Sequence, residues 1–172
     1  MKASLFPILA LIIAAPAQAG EVFGGLYAHG VASPLTLGGS PEGGADLQLG
    51  YRGEPIGGKH GAQPYVFGSL NSAGGTHFAA AGFAFTFGDK VFIRPGLGVA
   101  IHSGSDESRD DPTNDRIEFG SRILLEPEVA VGMRVSPRLS IEASWVHLSH
   151  AGMFSKQNPG MDSIGARLSW KL

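Results

Sequence analysis

Large apolar residues return at every second position through segment after segment of this chain, and that period is the strongest constraint on its fold. Ala45, Leu47, Leu49 and Tyr51 alternate with Asp46, Gln48, Gly50 and Arg52, and Phe83, Phe85 and Phe87 alternate with Gly82, Ala84 and Thr86. Val91, Ile93, Leu97, Val99 and Ile101 are set against Arg94, Gly96, Gly98 and His102. Ile123, Leu125, Val129, Val131 and Met133 are set against Arg122, Glu126, Glu128 and Arg134. Successive side chains of a strand point to opposite faces, whereas an amphipathic helix repeats about every 3.6 residues. Helical periodicity is weak throughout. Strands are expected near 22–33, 44–53, 62–72, 76–88, 90–103, 118–135, 138–149 and 161–172, joined by segments rich in Gly, Pro, Asn and Asp. The expected fold class is all-β, an eight-stranded antiparallel transmembrane β-barrel of the smallest outer-membrane size.

The faces decide between a membrane barrel and a soluble one. An eight-stranded barrel has an interior just wide enough for side chains. The face that carries small and charged residues fits that interior, where Arg94, Arg122 and Arg134 are expected to pair with Glu126, Glu128 and Glu142. Leu47, Phe85, Val99, Val131, Trp145 and Leu168 then point outward. A soluble lipocalin-like barrel needs the reverse arrangement. No stretch reaches the roughly 18 apolar residues of a membrane helix, and lipid satisfies no backbone polar group, so a spanning chain of this kind must close into a barrel. The turns 88–90 and 136–138 are tight, while 104–117 and 150–160 are longer and more polar, as expected for periplasmic turns and external loops.

Composition removes other classes. Charged residues make up 16% of the 172 positions, against roughly 25% in an ordinary soluble domain. The net charge of −2 and the lack of any basic run argue against a nucleic-acid partner. The absence of Cys removes disulfides, thiolate metal sites and cysteine nucleophiles. Residues 1–19 read as a signal peptide: Lys2 leads an apolar core at Leu5–Ala15, and Ala17-Gln18-Ala19 is a cleavage site. The mature domain is then 20–172, exported to the bacterial outer membrane.

The last hairpin breaks the pattern. Ile141, Ala143 and Trp145 share a face with His147 and Ser149, and Ile164, Ala166, Leu168 and Trp170 share one with Asp162. Three polar residues thus fall on the apolar face near one rim. Acyl transfer requires these types: a serine hydroxyl needs an imidazole to take its proton, and a carboxylate fixes the imidazole tautomer. Positions i and i+2 on a strand lie about 6–7 Å apart, and neighbouring strands about 4.8 Å. The plain alternative is a rim His and Ser in solvent, where polar residues cost about 0–1 kcal/mol. His29, His60, His77 and His102 are scattered, and no metal or cofactor is required. The acidic run from Asp106 to Asp115 is interleaved with Arg109 and Arg116 and reads as a solvated loop.

The segment from Trp145 to Asp162 resembles the C-terminal motif of lipid A 3-O-deacylases of the PagL type, small outer-membrane barrel esterases. Their His-x-Ser falls on His147 and Ser149, implying base and nucleophile, and their acidic member falls on Asp162. Their Ala-Gly falls on Ala151 and Gly152, and their Asn-x-Gly on Asn158 and Gly160, which implies an oxyanion role for Gly152 supported by Asn158. His150 stands where many members carry asparagine, and Asp162 is shorter than their usual glutamate. The resemblance implies a serine ester hydrolase that removes the 3-position acyl chain of lipid A in the outer leaflet, from a triad on the lipid-facing surface. The implied partners are lipopolysaccharide and the outer membrane, with a homodimer as the one protein assembly in view. Two alternatives stand beside it: a non-catalytic structural or adhesive barrel, and an esterase for another membrane lipid.

Overall fold

The computed structural model describes residues 20–33, 35–36, 40–107, 113–154 and 158–172. The proposed signal peptide lies outside them. Nine strand segments follow one another: β1 (Glu21–Ala28), β2 (Ala45–Arg52), β3 (Gln63–Asn71), β4 (Phe78–Ala84), β5 (Phe87–Gly88), β6 (Val91–His102), β7 (Ile123–Arg134), β8 (Leu139–Leu148) and β9 (Met161–Lys171). All pairings are antiparallel between neighbours, β1 pairs with β9, and β4 pairs with β6 to close the ring.

The segments β4 and β5 are one barrel strand. Both meet β6 in a single register, with Phe83 opposite Leu97 and Phe87 opposite Ile93. The break falls where Phe85 donates to the Pro95 carbonyl at 2.9 Å and proline has no N–H to return. Eight strands therefore form the wall, the number expected from the alternation.

The faces are as the alternation predicts. Leu47, Phe85, Val99, Val131 and Leu168 are exposed on the outside, and Trp145 is half-buried. Asp46, Gln48, Arg52, Arg94, Glu126, Glu128, Glu142 and Arg167 are buried inside. The interior pairing differs from expectation in its arginines. Arg94 meets Glu142 and Glu21, Arg52 meets Glu21, and Arg167 donates to Glu128 at 2.7 Å. The guanidinium groups of Arg52 and Arg167 also lie over the Phe23 ring, at 4.8 and 4.6 Å. Arg122 and Arg134, expected inside, sit at opposite rims: Arg122 bonds Asp106 at 2.7 Å, and Arg134 lies over the Phe92 ring at 5.1 Å. Both occupy strand ends, where alternation continues but the lumen does not.

The strands end within a residue or two of the expected bounds, except that two fall short by five at one end. The first ends at Ala28, because Gly30 takes a left-handed φ of 63° and turns the chain out of the ladder. A Cβ there would meet the Glu42 carbonyl at 2.4 Å. The strand expected from 118 begins at Ile123. Ile117 and Phe119 are buried at the mouth instead, with the Phe119 ring 4.5 Å from that of His102. Gly20 accepts from the Leu172 N–H at 2.9 Å, so both ends of the described chain meet at one rim. The described parts of the connections 29–44, 103–122 and 149–160 gather at the other.

Candidate active site

Antiparallel register builds the site at the rim of the long connections. In β8 and β9, His147 is the Cα partner of Asp162, and the His147 ring donates from Nδ1 to Asp162 Oδ1 at 3.0 Å. That bond leaves Nε2 as the basic nitrogen. Ser149 lies one step beyond the end of β8 but keeps the register of the β7–β8 ladder. It exchanges backbone bonds with Leu125 at 2.8 and 3.2 Å. Its parity is therefore that of His147. Two residues along β7 from Leu125, Pro127 faces His147 without an N–H, and the continuous ladder stops there. Among the described residues no hydrogen bond joins the Ser149 hydroxyl to His147.

By parity the three residues share the outward face with Ile141, Ala143 and Ile164. They are nevertheless covered: His147 is 7% exposed, Ser149 8% and Asp162 0%. The cover over Asp162 comes from the connection after β1. Val31 donates its N–H to the Asp162 carbonyl at 2.9 Å, while Ser33 Oγ and Thr36 Oγ1 donate to Asp162 Oδ2 at 2.5 and 2.7 Å. The indole N–H of Trp145 donates to Oδ1 at 2.7 Å, and its ring stacks on His147 with centroids 5.8 Å apart. The Asp162 carboxylate thus accepts four side-chain bonds.

The remaining candidates lie in the connection 149–160. The backbone at Ala151 and Gly152 is left-handed, with φ of 51° and 73°, and Gly152 is exposed at the turn. Asn158 accepts the His150 N–H on its Oδ1 at 3.1 Å, which ties the far end of the connection to the residue after Ser149. His150 is fully buried. Gly160 packs on the catalytic candidate itself: a Cβ there would lie 2.9 Å from His147 Cε1. Hence the structure brings His147 and Asp162 into contact, holds Ser149 beside them, and sets Gly152 and Asn158 in the same loop.

Ser33, Thr36 and Trp145 are not singled out by sequence. Ser33 reads as the end of a strand, and Trp145 as a lipid or interface anchor. No period or motif links position 33 or 36 to position 162. A second polar cluster stands apart from this site: His29 Nδ1 lies 2.8 Å from Asp46 Oδ1 and Nε2 lies 3.2 Å from Glu42 Oε2. Glu42 also accepts from the N–H groups of Thr76 and Ile117 at 2.5 and 3.0 Å. Burial alone would push His29 down, but its bonds to Asp46 and Glu42 and their charge raise it to about 9. Burial would raise Glu42, and the bonds from His29, Ile117 and Thr76 bring it to about 2.

With that geometry in view, the family model of lipid A 3-O-deacylase (PagL) matches residues 33–171. The chain belongs to this family. The members are ester hydrolases of the outer membrane, and the barrel agrees. The crystal structure of the outer membrane enzyme PagL superposes with a TM-score of 0.65 at 20% identity, covering 88% of this chain and 99% of that one. The crystal structure of Neisserial surface protein A superposes at 0.57 with 13% identity, covering 89% and 97%. A de novo designed transmembrane β-barrel superposes at 0.53 with 9% identity, covering 91% and 98%. These likenesses carry the fold alone. No curated protein sequence matches this one.

Proposed function

We propose that this chain hydrolyses the 3-position ester of lipid A through Ser149, His147 and Asp162. The supporting observation is the His147–Asp162 bond of 3.0 Å at in-register positions, with Ser149 two residues on and of the same parity. In this reading His147 Nε2 takes the proton of Ser149 Oγ as the oxygen attacks the ester carbonyl. Asp162 stabilises the imidazolium that forms. The imidazolium then protonates the departing sugar 3-oxygen, leaving an acyl-serine. Water, activated by the same imidazole, releases the fatty acid and restores the serine.

The tetrahedral oxyanion needs donors that are already oriented. The N–H of Gly152 is the proposed donor, with Asn158 holding the turn through His150. In this reading, supported by the outward parity of the three residues, the chemistry lies on the side of the wall that lipid meets, at the rim of the external loops. A lipopolysaccharide of the outer leaflet then reaches the site without leaving the membrane. All the groups come from one chain, so the reaction needs no second copy, and the triad uses no metal or cofactor.

Mass spectrometry of lipid A from cells that express the chain tests this reading. The expected change is loss of one 3-linked acyl chain, absent with Ser149→Ala although that variant still shows heat-modifiable barrel migration. Retained activity in Ser149→Ala would remove serine catalysis. An unchanged spectrum with the parent chain would favour a scaffold, and fatty acid released from phospholipid would favour another substrate.

A further inference from the structure

The connection between β1 and β2 reaches across the outer face of β9 and grips the carboxylate of the proposed acid. Its contacts divide cleanly between the two oxygens of Asp162. Oδ1 receives the indole N–H of Trp145 and the ring N–H of His147. Among the described residues, Oδ2 receives only the hydroxyls of Ser33 and Thr36, at 2.5 and 2.7 Å. The two hydroxyls are themselves oriented. Ser33 Oγ accepts the Leu35 N–H at 3.0 Å, and Thr36 Oγ1 accepts the Ser33 N–H at 3.2 Å. A hydroxyl has one proton to give. With backbone donors on their acceptor sides, the Ser33 proton is directed at Oδ2, and the Thr36 proton has Oδ2 at 2.7 Å as its nearer acceptor, against 3.3 Å to the Val31 carbonyl.

We propose that Ser33 and Thr36 are positioning residues for the reaction: they pin Asp162 Oδ2 so that Oδ1 stays in line with His147 Nδ1. This rests on the triad reading above and adds to it a pair of residues from the opposite end of the chain. A carboxylate on a short side chain turns about a broad torsion. An aspartate held by His147 and Trp145 alone would have both bonds on one oxygen and no restraint on the other. The clamp supplies that restraint and also keeps water from Oδ2. The described part of the loop also meets β9 through backbone, Val31 donating its N–H to the Asp162 carbonyl at 2.9 Å. That bond survives side-chain substitution.

The test uses the full chain, folded in detergent micelles, with purified lipopolysaccharide as substrate. Ser33→Ala and Thr36→Val should each lower kcat by about 10- to 100-fold, the worth of a hydrogen bond to a charged group, with KM little changed. Ser33→Thr and Thr36→Ser keep the hydroxyl and should recover most of the rate. In an Asp162→Asn background, adding Ser33→Ala and Thr36→Val should cost less than about twofold more, because residues acting through one carboxylate are not additive. Heat-modifiable migration reports folding of every variant. Full kcat in the Ser33→Ala/Thr36→Val double variant, while Ser149→Ala is dead, would overturn the clamp and leave the triad standing. Equal losses in Thr36→Ser and Thr36→Val, or additive losses on Asp162→Asn, would assign the loop a purely structural role and overturn it too. An active Ser149→Ala would instead sink the underlying triad.

Discussion

Single atoms decide how well His147 is presented. Gly160 sits in a left-handed conformation with φ of 66°, and a Cβ there would crowd His147 Cε1 at 2.9 Å and Thr36 Cγ2 at 3.3 Å. Gly160→Ala should therefore displace the imidazole and loosen the clamp together. A misplacement of about 1 Å typically costs on the order of 100-fold, so kcat should fall by about that much while the barrel still assembles. Rate measurements beside heat-modifiable migration separate the two effects. Asp162 makes the companion case. The family's usual glutamate would extend the carboxylate by about one C–C bond, roughly 1.5 Å, into a site already filled by Ser33, Thr36, Trp145 and His147. Asp162→Glu should thus lose activity rather than gain it, and Asp162→Asn should lose it through the wrong donor pattern. A more active Asp162→Glu would show that the first connection yields to the longer side chain.

At the scale of elements, the external connections carry their own charge cluster. His29, Glu42 and Asp46 join the connection after β1 to the wall, and Glu42 reaches the backbone of Thr76 and Ile117 from two further connections. His29 is raised from 6.5 to about 9, so its contribution is complete below pH 6.5 and is lost as pH rises through 9. Glu42 is lowered from 4.5 to about 2, so its contribution is present above pH 4.5 and is lost as pH falls through 2. The loops should be held best between pH 4.5 and 6.5. Hydrogen exchange at the Thr76 and Ile117 amides checks this: protection should decline toward pH 9, and Glu42→Gln should remove the acid limb. Flat protection across the alkaline range in the parent would contradict the His29 bonds. The same connection carries Ser33 and Thr36, so loosening it is expected to reach the active site.

For the whole molecule, the two faces of the wall answer to opposite solvents. Val131 points to lipid from β7, and Arg there should destabilise the fold by up to about 2–4 kcal/mol, the cost of such a charge at the midplane. Glu142, on the inner face of β8, meets Arg94 and accepts from Ser169 at 2.8 Å. Glu142→Leu would leave a buried guanidinium short of its partner, at about 3–5 kcal/mol. Both variants should lower the urea midpoint of folding into micelles, whereas Glu107→Gln on the exposed connection should not. Equal tolerance of Val131→Arg and Glu107→Gln would refute the assigned faces.

How much of this was legible in the chain follows from the range of the interactions. A period of two is a local property, set by the pleat of each strand, so alternation alone specified the all-β class, the eight-strand count and the outward set from Leu47 to Leu168. It also put His147 and Ser149 on one face, because parity within a strand needs no knowledge of its neighbours. Alternation misled only where strands end. It carried the first strand past Gly30, began the sixth expected strand at Glu118 and ran it through Phe119, and put Arg122 and Arg134 in a lumen that stops short of them. Register, loop cover and the choice of interior arginines are relations between distant positions. Only the register of β8 on β9 set Asp162 opposite His147, and only the path of the chain after Gly30 brought Ser33 and Thr36 to a carboxylate more than 120 residues away. A hydroxyl's partner is decided by where the backbone arrives, and no local pattern records that arrival.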